Sequence, residues 1–197
     1  MRQRIKERAA ASRREATHPH HRAYIEQAER RARNHLNEAA NHESRKVLRH
    51  EGAHQLFFTL GIHSDHLAEN PWLLEGLAQY YEEGVPGTIP RSHHTRLRPP
   101  EADDLVSLEA LITLRSHQGL HAFEDPEQIS LAYVRAAALV RWMMTPDNRP
   151  RFIAYLKAIR DPANVWTAAT EDRLTLLANA FGETRDGLLE RLRAEAF

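Results

Sequence analysis

Three residues in the stretch VLRHEGAHQLFF, positions 47 to 58, could do chemistry together: His50, Glu51 and His54. On a helix, residues four apart lie on one face, so His50 and His54 can offer imidazole nitrogens to a single ion, with Glu51 alongside. This is the H-E-x-x-H arrangement. Zinc takes neutral nitrogen donors at about 2.0 to 2.1 Å and needs an open fourth position to catalyse; the adjacent carboxylate then takes a proton from the metal's water. The chain has no cysteine, which excludes disulfides, thiolate catalysis and cysteine-based zinc sites and leaves His, Asp and Glu as ligands.

With 13 histidines in the chain the pentapeptide could arise by accident, so a third ligand must decide. The metzincin pattern requires a histidine six residues after His54, and the sequence has Leu60 there, with Phe57 where the glycine belongs. Glu75 is the better candidate. A stop at Gly61 and a restart at Asn70-Pro71 separate it from His54, so two antiparallel helices can bring it opposite the histidine face.

The elements that must position these residues read as helices almost throughout. At 197 residues, 42% hydrophobic and 27% charged, the chain can hold one domain with a sizeable core. The pattern predicts an exposed helix over 22–40, a more apolar one over 43–60 and a third over PWLLEGLAQYYEE, 71–83. Residues 84–104 carry four prolines and two glycines and read as a long surface loop. A short helix is predicted near 105–115. Asp125-Pro126-Glu127-Gln128 opens another that runs to Met144, and further helices fit 149–160, 171–180 and 184–196. No run alternates with period two. The expected fold is mainly α, a compact helical domain over 43–197 with the HExxH helix packed on the helix of Glu75, little or no β-sheet, and a basic helical segment over 1–42 before it.

HEGAHQLFFTLGI followed by NPWLLEGLAQYYEE resembles the gluzincin zinc metallopeptidases, in particular a bacterial family of uncharacterised peptidases. That family's pattern runs H-E-x-x-H-Q-L, then W-L-x-E-G-L-A-x-Y-x-E, then a helix like A-Y-x-x-x-x-A-L-V, which AYVRAAALV at 132–140 matches. The resemblance covers about residues 45–197. It implies Zn2+ held by His50, His54 and Glu75, with Glu51 as general base, in a hydrolase that cleaves peptide bonds in a peptide or protein substrate. Tyr133 matches the tyrosine of the later helix, and the resemblance implies an oxyanion-holding role for it. Its bland reading is a core tyrosine, because Ile129, Tyr133, Ala136, Val140 and Met143 form an apolar stripe. The rival function is a catalytically inactive, zinc-stabilised helical interaction domain.

Residues 1–34 hold ten Lys or Arg against four Glu within a chain of zero net charge. The basic residues are scattered among glutamates, so a solvated helix face is expected there rather than a nucleic-acid partner. His63 and His66 could bind metal but read as solvent-facing loop residues; His18, His20 and His21 around Pro19 could equally scavenge metal, and His93-His94 sit in the long loop where substrate could pass, but none has a motif behind it. Gln79, one turn after Glu75, could support a histidine ligand, whereas Glu82 and Glu83 read as a solvated helix end. The start is basic but lacks an apolar stretch, and no segment reaches transmembrane length. A cytoplasmic protein is the default expectation unless the start is truncated.

Overall fold

The computed structural model describes residues 19–62, 70–89, 106–116, 118–160 and 173–197. The fold is mainly α, and no strand occurs among the described residues. In chain order the helices are α1 (Pro19–Thr59), α2 (Pro71–Glu82), α3 (Leu108–Thr113), α4 (Pro126–Met143), α5 (Arg149–Arg160), α6 (Arg173–Phe181) and α7 (Arg185–Glu195). A 3-10 helix, Gly119–Phe123, precedes α4. The chain divides into two compact units between Val47 and Leu48. In the first unit α1 is exposed and makes local contacts such as the Arg33–Glu29 pair at 3.2 Å.

The expected break near residue 41 is absent: the two helices read as 22–40 and 43–60 are one. Neither Asn41 nor His42 is a strong enough breaker, since such residues cost only tenths of a kcal/mol, up to about 0.7, in a helix interior. The real stop is at Gly61. Its φ of 65° lets Gly61 N–H bond Phe58 O at 2.9 Å and Ile62 N–H bond Phe57 O at 2.8 Å, which closes the helix end and turns Ile62 onto the core.

Pro71 begins α2 at the position where its missing N–H costs nothing. Asn70 stands at the N-cap, yet its side chain makes no cap and is fully buried; its carbonyl instead accepts from Leu73 N–H and Leu74 N–H. The start of α4 follows expectation more closely, with the Asp125 carboxylate accepting from Glu127 N–H at 2.8 Å and Gln128 N–H at 3.0 Å. α2 and α4 form the most extensive helix pairing of the second unit. Gly76 makes it possible: a Cβ there would lie 2.6 Å from Ala136 O and 2.8 Å from Val140 Cγ2.

Aromatic contacts tie this pair to the C-terminal helices. Trp72 of α2 stacks on Tyr155 of α5, and Trp142 of α4 stacks on Phe181 of α6. Leu174, Leu177, Leu188 and Leu192 complete that side of the core. The site helices therefore rest on a packed base, and their outward faces are left for chemistry.

Candidate functional site

The last turns of α1 and the length of α2 supply the polar cluster. His50 Nε2 lies 3.2 Å from His54 Nε2 and 3.2 Å from Glu75 Oε2, and His54 Nε2 lies 3.7 Å from the same oxygen. These three residues form a group that could hold a metal ion, and it is the group of this kind found among the described residues. Ligands at 2.0 to 2.1 Å on a tetrahedral ion are separated by about 3.3 Å, so the triangle has the size a zinc ion requires. The three side chains are 19–26% exposed, so each is mostly buried yet still reached by solvent.

Glu82 completes the cluster. Its Oε2 lies 3.4 Å from His50 Nδ1, so one imidazole is held between Glu82 on one nitrogen and Glu75 on the other. A carboxylate on Nδ1 fixes the ring so that Nε2 faces the ligand position. Arg49 Nη1 donates to Glu82 O at 3.3 Å and holds the end of α2 against α1. The expectation that Glu82 belongs to a solvated helix end is thus corrected. Seven residues, two turns, separate it from Glu75, which puts both on one face, and that spacing was the available signal. Gln79 does not take the supporting role: among the described residues it makes no hydrogen bond to either histidine. With Glu82, Tyr80, Val134 and Arg141 it lines a cavity of about 20 Å³, which has room for about one water.

Hydrogen bonds donated to the Glu75 and then the Glu82 carboxylate push His50 up to about 9. Burial alone would raise the Glu75 carboxyl, but the hydrogen bonds of His50 and His54 outweigh it and hold the group at about 2. Tyr133 is brought to the same place from α4. Burial, then the charges of Glu75 and Glu51, then a hydrogen bond to Glu75 push its phenol up to about 12. The ring of Tyr133 packs on the core, as the bland reading expects, and its hydroxyl lies near enough to Glu75 to be influenced by it. Glu51 is exposed beside the two histidines, close enough to be felt by Tyr133.

One residue with no motif behind it also reaches this region. His121, on the 3-10 helix, sets its ring at 70° to that of Tyr133 with 6.3 Å between centroids. Of the other histidines with no motif behind them, His18, His63, His66, His93 and His94 lie outside the described residues, as does most of the long loop.

Fold and cluster together define a mainly α domain with a His–His–Glu group able to hold a metal ion. Residues 45–164, more than half of the chain, match a family described as a protein of unknown function, DUF1570, and the chain belongs to that family. No curated protein and no solved structure matches it. No helix among the described residues is long and apolar enough to cross a membrane.

Proposed function

We propose that this protein is a zinc-dependent hydrolase of peptide bonds. The convergence of His50 Nε2, His54 Nε2 and a Glu75 oxygen within 3.2 to 3.7 Å of one another carries the reading. Bound there, zinc would polarise the scissile carbonyl and make the attacking water more acidic. Glu51, exposed one position after the first ligand, takes the proton of that water and returns it to the leaving amine. The phenol of Tyr133, kept protonated, is a donor for the developing oxyanion.

The rival reading, a zinc-pinned domain without catalysis, also draws on a cluster that spans α1 and α2. Glu51 separates the two. Glu51→Gln should keep zinc at one equivalent and leave the melting temperature unchanged, because the side chain is exposed. Hydrolysis of a peptide library should fall by about 10²- to 10⁴-fold, the range for losing a general base. Undiminished turnover in that variant would remove Glu51 from the chemistry. Zinc without any hydrolysis by the wild type would favour the rival.

A further inference from the structure

His121 lies outside the metal cluster, and three observations about it converge. The 3-10 helix that carries it packs on both α2 and α4, the two helices that supply Glu75 and Tyr133. Its imidazole is exposed, stands edge-on to the Tyr133 ring, and among the described residues makes no hydrogen bond or ion pair. Backbone conformations that L side chains rarely adopt hold it in place. Gly119 opens the element at φ 62° and Glu124 closes it at φ 62°, ψ −45°.

Glu124 is the only non-glycine residue with positive φ among those described. Asp125 N–H bonds Phe123 O at 2.6 Å across it, a strained turn of the rare positive-φ γ type, and Glu124 N–H bonds His121 O at 3.1 Å. Strain of this kind persists where the surroundings over-determine it, and it gathers at binding sites. Here it fixes the carbonyl of His121 itself. Asp125 then caps α4 directly, so the turn ties His121 to the helix of Tyr133.

The chemistry of the neighbourhood gives the imidazole a task. Glu51, Glu75 and Glu82 are acceptors when ionised, whereas a peptide lying across them presents main-chain carbonyls that need donors. Tyr133 supplies one donor and an imidazole N–H supplies another. We propose that His121 is a substrate-binding residue of this centre, donating a hydrogen bond to a main-chain carbonyl of a bound peptide beyond the one being cleaved. This rests on the peptide-hydrolase reading above.

Two probes on the zinc-loaded full chain test it without relying on turnover. Acetohydroxamate reaches only the metal, while a dipeptide hydroxamate also presents main-chain carbonyls to the residues around it. His121→Ala and His121→Phe should each weaken the dipeptide hydroxamate by about tenfold, the worth of one hydrogen bond, with zinc content and acetohydroxamate affinity unchanged. His121→Phe keeps a ring against Tyr133, so equal loss in both variants assigns the effect to the imidazole N–H. Dipeptide hydroxamate binding unchanged in both variants, preserved in His121→Phe alone, or weakened together with acetohydroxamate would overturn the proposal and leave the hydrolase reading standing on Glu51. A wild type that takes up no zinc, or binds neither probe, overturns both.

Discussion

Two polar networks of the second unit are built from similar parts and differ at their centres. Between α4 and α7, Arg191 donates to Glu183 at 2.8 Å, to Glu195 at 3.2 Å and to Asn148 at 3.3 Å, and its guanidinium lies 5.0 Å over Trp142. Trp142 Nε1 donates to Glu195 as well, at 2.9 Å. Acceptors there gather around a cation that never gives up its proton. In the cluster of α1 and α2, carboxylates gather around imidazoles, whose positive charge is removable. A network centred on a guanidinium can only hold helices together; one centred on histidines can exchange a proton for a metal ion.

Substitution at Glu82 breaks this comparison most strongly. Glu82→Ala removes the partner of His50 Nδ1 and frees the ring, and loss of such a partner typically costs 10- to 100-fold in metal affinity. A competition titration against a zinc chelator should report that drop, while Glu195→Ala, in the other network, leaves zinc affinity unchanged. Equal affinities in the two variants would mean that Glu82 does not orient the ligand.

Gly76 tests whether the scaffold positions the site. Alanine there would gain up to about 1 kcal/mol of helix propensity. Its Cβ would meet a backbone oxygen at 2.6 Å, which cannot turn aside as a flexible side chain could. Overpacking of that kind costs about 1 to 3 kcal/mol, so after the propensity gain a net loss of about 1 kcal/mol in urea unfolding is expected. Glu75 is adjacent, so zinc affinity should fall too.

How much of this was legible in the sequence depends on how local each signal is. Gly61, Pro71 and Asp125-Pro126 mark helix ends through the chemistry of one or two residues, and the helices end and start there. The 3-10 helix at 119–123 is too short to show a period, and the strained turn after it has no glycine at its positive-φ position. Glu82 was obscured by type: a glutamate at a helix end is usually solvated, and only its register with Glu75 distinguishes it. Tyr133 was ambiguous because an apolar stripe and a site-facing hydroxyl can belong to one side chain. Gly76 sits in a recognisable motif, yet its packing against Ala136 joins residues sixty positions apart.

Proton exchange gives a pH prediction with a definite sign. His50 is raised from 6.5 to about 9, so the stability it lends the metal-free protein is complete below pH 6.5 and lost as pH rises to about 9. Glu75 is lowered from 4.5 to about 2, so its contribution is present above 4.5 and lost as pH falls through 2. Between pH 7 and 9 only His50 of this pair sheds its proton on binding metal. Apparent zinc affinity should then rise by up to about tenfold per pH unit and level off above 9. The melting-temperature gap between zinc-loaded and metal-free protein should widen over the same range; a gap independent of pH would show that no proton leaves His50.

The smallest effect belongs to the guanidinium network, in spite of its many bonds. Arg191 and Glu195 are 28% and 48% exposed, so solvent screens their attraction, and exposed pairs are worth at most about 1 kcal/mol each. Three bonds radiate from one side chain and share a single ordering cost, so Arg191→Ala should cost about 1 kcal/mol in all, or about 2–4 °C in melting temperature. Zinc uptake should be untouched. Arg191→Lys keeps the charge but cannot reach Glu183, Glu195 and Asn148 together, so it should lose most of the same stability. If lysine restores it fully, the network acts through charge alone, and its difference from the histidine cluster lies only in the permanence of the proton.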